Sequence, residues 1–372
     1  MKNTKKISRT SAAVYIILTL FFLLAPIFFK SRTWLNSFVM IFVSVVGTTS
    51  LRTIALSGNM SFAHSAFIGV GAYTAGILGK ELGLSIFLSI PLGALAAMLL
   101  GLITGWPFAR LRSIYFCMGS MFMGVAIIQF ISAMKITGGA IGLQKIPSMS
   151  KALTGLFKGE VASAFLDKLG LGGVQLSYYF FLLITLLCMV ILYRFEHSRI
   201  GWTLRALSQS PEVAASIGIN ERFYRQMSVG IGTFCAGIIG ATYAHYSTTL
   251  SPNGYSMGNT LWLIMYMMIG GQGNFIGPII GAILLELINQ IPSLLTAMSG
   301  RPGVSVEFIA FSRFVGRYSA YTPFLTAVAL LIVAYIFPGG LVSIPSLIRE
   351  SSKRRKERKA VVLAEGGEDD AA

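Results

Sequence analysis

The stretch R-I-G-W-T-L-R-A-L-S-Q-S-P-E-V-A-A-S-I-G-I-N, residues 199–220, is a polar segment with helical spacing inside an otherwise apolar chain. Its apolar residues recur beside charged ones, which is typical of short amphipathic helices that lie on a membrane surface. Ser210 as N-cap, Pro211 in the first turn and Gly218 at the end predict the second of two such helices. The segment is therefore predicted to be a surface helix pair that another protein can push against.

The composition of the chain predicts a membrane protein with several helical spans. It has 372 residues, of which 54% are hydrophobic and only 12% charged, whereas a soluble domain carries roughly 25% charged residues. Several apolar stretches approach the roughly 20 residues that a helix needs to cross a bilayer. Much of the net charge of +16 falls in predicted inner loops and the tail, which indicates orientation in the membrane rather than nucleic-acid binding.

Hydropathy and the positions of Lys and Arg predict an all-α bundle of about ten transmembrane helices with both termini in the cytoplasm. Residues 1–348 form the membrane domain, and residues 349–372 form a charged, disordered cytoplasmic tail. Within the domain we expect an outer loop at 135–175, which has room for one interfacial helix. We also expect the cytoplasmic helix pair, together with its flanking residues, at 194–225. The predicted spans lie at 12–29, 34–56, 59–79, 84–106, 114–134, 176–193, 226–246, two within 259–298, and 321–338.

Small residues mark both a break and the helix contacts in these spans. The run G-G-Q-G-N at 270–274 separates the two crossings within 259–298 and predicts irregular backbone that protein or water surrounds. Elsewhere small residues recur every four positions, which lets helix backbones approach closely in lipid. The sets are Gly93, Ala97, Gly101 and Gly105, then Gly232, Ala236, Gly240 and Ala244, then Gly273, Gly277 and Gly281.

Two features place polar groups where the chain must meet lipid. The run 57–73 concentrates Gly, Ser, His and Asn, so it either lines a translocation path or forms polar contacts between helices. Glu286 is the acid well inside an apolar stretch, and an intramembrane carboxylate is a functional-site hypothesis by default. Glu286 could relay a proton, pair with a base such as Arg52, or sit neutral in a helix contact. Structural pairing is favoured because the apolar stretches hold no second acid and no lysine.

Motifs of catalytic and metal sites are missing from the sequence. There is no P-loop, no nucleophile elbow and no carboxylate pair in a loop, so we expect a chain that is not an enzyme and does not hydrolyse ATP itself. His64, His197 and His245 stand apart, and the three cysteines show no paired spacing. Neither a metal site nor a disulfide framework is therefore expected.

Four segments together resemble the permeases of branched-chain amino acid ABC importers, and the longer, M-type subunit most closely. They are S-F-A-H-S-A-F-I-G-V-G-A-Y at 61–73, the surface helix pair at 199–220, A-G-I-I-G-A-T-Y-A-H-Y at 236–246 and I-G-G-Q-G-N-F-I-G-P-I-I-G at 269–281. The resemblance extends over most of the chain and rests on the combination of the four segments.

This resemblance implies a type II-importer-like permease fold and a set of partners. The partners are a shorter paralogous permease subunit, two ATP-binding cassette ATPase subunits and an extracytoplasmic solute-binding protein. The chain itself then binds no cofactor, since ATP and Mg²⁺ belong to the ATPases. We expect a multi-pass protein of the inner or plasma membrane of a prokaryote, in contact with the lipid bilayer and with no nucleic acid.

The surface helix pair matches the cytoplasmic coupling motif of these permeases, with the E-x-A-A-x-x-G pattern beginning at Glu212. We expect Glu212 and Arg205 to make polar contacts with the ATPase, and Val213 and Ile217 to bury an apolar face against it. The expected coupling residues are Gly201, Arg205, Glu212, Val213, Ala214, Ala215, Ile217 and Gly218.

The implied substrate is a branched-chain or other hydrophobic amino acid, which calls for a mostly apolar path. Related permeases carry urea, other small amides or acids, and these stay open as alternatives. The candidate path residues are Ser61, His64, Phe67 and Tyr73.

Two other classes of protein fit the sequence less well. A secondary transporter or channel would need intramembrane charges for ion coupling, and the apolar stretches hold almost none. A membrane-embedded transferase would need a polar catalytic cluster at an interface, and the sequence offers none. The importer permease is therefore the favoured prediction.

Overall fold

A computed structural model of the chain describes residues 9–29, 31–111, 114–156 and 172–299, together with single positions between 312 and 328. Within these ranges all regular structure is helical, apart from one β-bridge between Leu143 and Leu250. The elements are α1 Arg9–Phe28, α2 Arg32–Ala55, α3 His64–Glu81, α4 Ile86–Phe108, α5 Ile114–Ala133, α6 Met149–Leu156, α7 Gly173–Glu196, α8 Arg199–Gln209, α9 Pro211–Ser216, α10 Glu221–Ser247, a 3₁₀ turn Pro252–Tyr255, α11 Met257–Gly270 and α12 Ile276–Ser299.

Six of the described helices are long and apolar enough to cross a membrane, namely α2, α4, α5, α7, α10 and α12. Helix α1 contributes the shorter apolar stretch Ile16–Phe28, and α3 has 18 residues. The predicted span 321–338 and the tail 349–372 lie outside the described residues, apart from two single positions. The count of ten spans and the location of the two termini therefore stay predictions.

Helix α10 lies at the centre of the bundle, where it packs against α2, α3 and α4. The approach is so close that a Cβ atom on Gly71 would overlap the backbone of Gly237, and one on Gly240 would overlap the carbonyl group of Ile68. Two helix backbones can approach this closely only where both present small residues. The predicted packing role of the small residues of α10 is confirmed.

The break between the last two described helices is also confirmed. Helix α11 ends at Gly270 and α12 begins at Ile276, with Gly271 at a φ of +101°. A helix of 14 residues rises only about 21 Å, which is less than the roughly 30 Å of a hydrocarbon core. In the segment 271–275 that joins the two helices, Gly271 and Phe275 are buried and residues 272–274 are exposed. The backbone carbonyl of Gln272 accepts a hydrogen bond from Arg52, so the segment lies beside the end of α2.

The third predicted span begins later than its prediction of 59. Gly58 adopts a φ of +83° and residues 57–63 are not helical, so α3 starts at His64. The backbone amide of Phe62 donates to Ser120 Oγ over 3.0 Å. Non-helical backbone is tolerated at membrane depth where neighbouring protein satisfies its polar groups.

The predicted outer loop holds one helix, as the sequence allowed. Helix α6 occupies Met149–Leu156, and the backbone amide of Ile146 donates to the carbonyl of Thr248 over 3.1 Å. The loop thereby joins the segment that follows α10. Residues 157–171 lie outside the described residues.

Candidate functional site

The surface helix pair forms as the sequence predicts. Ser198 caps α8 by accepting a hydrogen bond from the Gly201 amide over 3.4 Å, and Ser210 stands at the N-cap position of α9 without a side-chain bond. Gly218, at a φ of +83°, ends α9, and the Ile219 amide donates back to the carbonyl of Ala214 over 3.1 Å. Local capping bonds thus close the start of α8 and the end of α9.

The eight predicted coupling residues divide between an outer and an inner face of this pair. Gly201 and Ala214 are buried, and a Cβ on Gly201 would overlap the carbonyl of Glu196, so glycine lets α8 start directly against the end of α7. Arg205 is half-buried. The remaining residues are exposed, including 61% of Val213 and 72% of Ile217, and they are Glu212, Val213, Ala215, Ile217 and Gly218.

A buried charged network lies directly beneath the pair. The Glu196 carboxylate, at the end of α7, is bound by the guanidinium groups of Arg52 and Arg205. Arg52 Nε also donates to the backbone carbonyl of Gln272 over 3.2 Å, in the segment between α11 and α12. Arg205 lies 5.0 Å over the ring of Trp202. The network therefore joins α8 to α2, α7 and the 271–275 segment.

This network corrects one expectation about charged residues. The suggested pairing of Arg52 with Glu286 is wrong, because Arg52 pairs with Glu196. Both lie in the last turn of their helices, whereas Ser44, which contacts Glu286, lies about 12 Å back along α2. Arg205 has an internal partner in Glu196, and the outward contacts of Arg205 and Glu212 with an ATPase stay predictions.

A cavity of about 830 Å³ lies between α2, α10, α11 and α12 and reaches the loops at 141–144 and 249–255. Its walls are mainly apolar and aromatic, with one carboxylate. The residues that line it include Val43, Ser44, Ser65, Ile68, Tyr243, Tyr255, Trp262, Leu263, Tyr266, Glu286 and Asn289. Concave, mostly apolar sites with a few placed polar groups are the usual form of small-molecule sites.

Glu286 is held in the cavity wall by uncharged donors. Its Oε2 accepts from Ser44 Oγ and from the Tyr266 hydroxyl, both over 2.9 Å, and its Oε1 accepts from Gln290 Nε2 over 2.9 Å. Asn289 Nδ2 donates to the Tyr266 oxygen over 3.0 Å, which directs the Tyr266 proton to Glu286. The acid is thus fixed in position by three helices.

The four predicted path residues do not line this cavity. His64 is fully buried and lies 2.8 Å from Ser50 Oγ, and Tyr73 is 2% exposed. Ser61 and Phe67 border a separate and much smaller cavity. The role of these residues stays a prediction, and the α3 residues that line the large cavity are their neighbours, Ser65 and Ile68.

Sequence reasoning missed several residues of both sites. Asn289 and Gln290 lie three and four positions after Glu286, which the sequence did single out, and this spacing on one helix face is a signal that the sequence contained. Glu196 carried no such signal, since it reads as an ordinary boundary residue after an apolar span. Among the described residues there is no group of three His, Cys, Asp or Glu side chains that could hold a metal ion.

These features define a class of protein. A helical bundle with several apolar spans, broken helices and an internal cavity is the architecture of a polytopic membrane permease. The chain belongs to the family described as "Branched-chain amino acid transport system / permease component", whose sequence pattern matches residues 33–334.

Similarity to characterised proteins is low but extensive. The chain is 26% identical over 249 residues to the "High-affinity branched-chain amino acid transport system permease protein LivM" of Escherichia coli and 24% identical to the protein of the same name from Salmonella typhimurium. Each match covers 64% of this chain and 58% of the relative, so the chain spans less than two thirds of their length.

A third relative is named for a different substrate. The "Nucleoside ABC transporter permease protein NupC" of Lactococcus lactis is 23% identical over 294 residues, which are 74% of this chain and 85% of the relative. No solved structure matches the chain significantly.

Proposed function

We propose that this chain is a permease subunit of an ATP-driven importer that carries branched-chain or other hydrophobic amino acids across a prokaryotic inner or plasma membrane. A paralogous permease completes the path, a solute-binding protein delivers the substrate outside, and two ATPase subunits hold ATP and Mg²⁺ inside. The chain contributes binding and movement and no catalytic group. Membership of the permease family and the LivM relatives support this proposal.

The observation that carries the proposal is the charged network under the surface helix pair. An ATPase that moves α8 acts on Arg205, and through Glu196 on Arg52 at the end of α2. Arg52 also holds the backbone of Gln272 between α11 and α12. Because α2, α11 and α12 carry much of the cavity lining, the network offers a continuous physical link between nucleotide hydrolysis and the shape of the cavity.

The exposed part of the pair is suited to an ATPase groove. Val213 and Ile217 present apolar side chains four positions apart to the outside, so they lie on one face of the turn. Glu212 stands beside them and is exposed. Burial of two such side chains contributes about 1.5–3 kcal/mol each, which is enough to stabilise the surface helix pair in a groove of the ATPase.

Cross-linking tests this arrangement directly. The full chain with Val213→Cys or Ile217→Cys is expected to be joined to a co-assembled ATPase subunit by a short reagent that links a thiol to an amine, and ATP is expected to change the yield of this cross-link. Leu82→Cys, equally exposed at the far end of α3, serves as the control and should not cross-link. If the surface helix pair reacts only with externally added reagents on intact cells, the proposal is overturned.

A second candidate substrate is a nucleoside. It is favoured by the NupC relative and by the aromatic side chains Tyr243, Tyr255 and Trp262 in the cavity wall, since aromatic faces stack on bases. Small organic acids are disfavoured, because Glu286 would repel an anion in the cavity. Substrate-stimulated ATP hydrolysis of the assembled complex with leucine or uridine separates the two candidates.

A further inference from the structure

Two polar groups in the cavity wall call for a ligand. Glu286 lies in the wall with three hydrogen-bond donors and, among the residues that the structure describes, no positive partner. The Tyr255 hydroxyl, in the 3₁₀ turn of the same wall, is buried and has no hydrogen-bond partner within that part of the chain. Burying either group in apolar surroundings costs free energy unless a partner forms an ion pair or a hydrogen bond with it.

The surroundings of Glu286 leave its charge unbalanced. Its donors are the hydroxyl groups of Ser44 and Tyr266 and the amide of Gln290, all neutral. In the part of the chain that the structure describes, no lysine, arginine or histidine pairs with it. A carboxylate has about four acceptor positions, so the three donors leave room for a fourth. That fourth partner is best a cation.

Tyr255 offers the complementary chemistry. A phenol hydroxyl donates one proton, and Tyr255, at 7% exposure, keeps this donor inside the wall with no acceptor among the described residues. A ligand carboxylate would satisfy it with a charge-assisted hydrogen bond. The cavity therefore presents an acceptor for a cation, and its wall holds a buried donor for an anion; together these two groups match a zwitterion.

The rest of the wall matches the remainder of such a ligand. Val43, Ile68 and Leu263 supply aliphatic surface, and Trp262 lies beside them. An aliphatic side chain gains free energy in proportion to the apolar area that it buries there. A nucleoside has no ammonium group, so it would leave Glu286 without a cation.

We propose that Glu286, oriented by Ser44 and Tyr266, binds the α-ammonium group of an amino acid in this cavity, and that the Tyr255 hydroxyl binds its carboxylate. This inference rests on the proposed function and adds to it a site within the permease that selects amino acids. It assigns selectivity to the membrane subunit in addition to the binding protein.

Protection of a cavity cysteine measures binding without the binding protein or ATP. Val43→Cys is introduced into the full chain in membrane vesicles that hold the assembled complex, and its reaction with a membrane-permeant thiol reagent is followed. The probes are leucine, leucinamide, 4-methylpentanoate and uridine. Leucinamide keeps the ammonium group and lacks the carboxylate, whereas 4-methylpentanoate keeps the carboxylate and lacks the ammonium group.

Leucine and leucinamide are expected to slow the reaction, and 4-methylpentanoate is not. Glu286→Gln is expected to raise the half-protecting leucine concentration about ten- to a hundredfold, since a charge-assisted hydrogen bond is replaced by a neutral one. Tyr255→Phe is expected to weaken protection by leucine and to leave protection by leucinamide unchanged. Glu81→Gln, on an exposed acid at the end of α3, is the matched control and should behave as the parent.

Three results overturn the inference. They are equal protection by leucine in the parent and in Glu286→Gln, equal protection by leucine and 4-methylpentanoate in the parent, and no leucine protection of the parent. The chain remains an importer permease in each case if ATP hydrolysis in the same vesicles responds to another solute. Protection by uridine alone identifies that solute as a nucleoside.

Discussion

Glu196 and Glu286 are two acidic side chains held inside the same bundle, and the structure surrounds them differently. Glu196 is 1% exposed and is bound by the guanidinium groups of Arg52 and Arg205. Glu286 is half-buried at a cavity wall, and its partners on α2, α11 and α12 are uncharged. Guanidinium groups of this chain balance the charge of Glu196, whereas the residues that the structure describes supply only neutral donors to Glu286.

The difference shows that burial alone does not separate a structural acid from a binding acid. Taking a carboxylate out of water costs several kcal/mol, and nearby positive charge is what offsets most of that cost. A buried acid with its counter-charges in place holds elements together. An acid held only by neutral donors keeps a negative potential in front of it, and that potential selects what enters the cavity.

The largest effect is expected from Glu196→Gln. The substitution leaves the guanidinium group of Arg52, which is 3% exposed, without an anion, and breaking a buried ion pair from one side costs about 3–5 kcal/mol. The assembled complex should lose a large part of its thermal stability, measured as the monodisperse fraction after heating. Glu286→Gln, the same change at the other acid, should lose much less. Equal losses would remove the distinction between the two sites.

A double variant separates stability from coupling at Glu196. Replacing a buried ion pair by apolar residues of similar size is often neutral or stabilising, by about 1–4 kcal/mol. Arg52→Met with Glu196→Leu should therefore recover the stability that Glu196→Gln loses. Uptake per ATP hydrolysed should remain low, because the charged link to α8 is gone. Normal uptake by the stable double variant would show that the network serves the fold alone.

The next largest effect on stability and leucine protection is expected from a change beside Glu286. Tyr266→Phe removes the hydroxyl that donates to Glu286 and accepts from Asn289, and unsatisfied polar groups of this kind cost about 1–3 kcal/mol. Leucine protection in the cavity should weaken together with thermal stability. Tyr179→Phe removes an exposed hydroxyl bonded to the carbonyl of Leu23 and should change neither measurement. Unaltered leucine protection in Tyr266→Phe would mean that Glu286 needs no positioning by its neighbour.

A backbone comparison tests which end of the bundle transmits movement. Gly218 and Gly83 have φ values of +83° and +63°, and both have open space around the missing Cβ. A leucine in this left-handed conformation costs about 1–2 kcal/mol at either site. Gly218→Leu should allow ATP hydrolysis and reduce uptake, whereas Gly83→Leu should leave the ratio of the two unchanged. Equal ratios of uptake to ATP hydrolysis in the two variants would show that the surface helix pair does not transmit the movement of the ATPase.

Local sequence patterns predicted the parts of the fold that depend on local physics. Capping residues, helical spacing and the conformational freedom of glycine can be recognised from a few neighbouring residues. They predicted the surface helix pair, its end at Gly218 and the break at Gly270. The small residues of α10 could likewise be read as packing positions, since their four-residue spacing holds along one helix.

The sites were predicted less well, because they depend on which helices meet. The sequence identified Glu286 as unusual but offered it the wrong partner, Arg52. Arg52 lies about 12 Å further along α2 than Ser44, the residue of that helix that contacts Glu286. The sequence proposed Ser61, His64, Phe67 and Tyr73 for the path without assigning a face of α3, and the residues of α3 that line the large cavity are Ser65 and Ile68. Successive residues on a helix point about 100° apart, so without a known neighbour the facing side of α3 is undetermined.

The smallest effect is expected from Arg205→Lys, which tests whether Arg205 or Arg52 is the main counter-charge of Glu196. Lysine keeps the positive charge but loses the planar group that binds Glu196 and stacks on Trp202. Because Arg205 is 30% exposed, water and salt screen its ion pair, and the stability loss should stay below about 1 kcal/mol. Uptake per ATP should fall measurably in proteoliposomes, while Arg222→Lys, on an exposed arginine of α10, serves as the unchanged control. A stability loss as large as that of Glu196→Gln would identify Arg205, rather than Arg52, as the counter-charge that holds the buried acid.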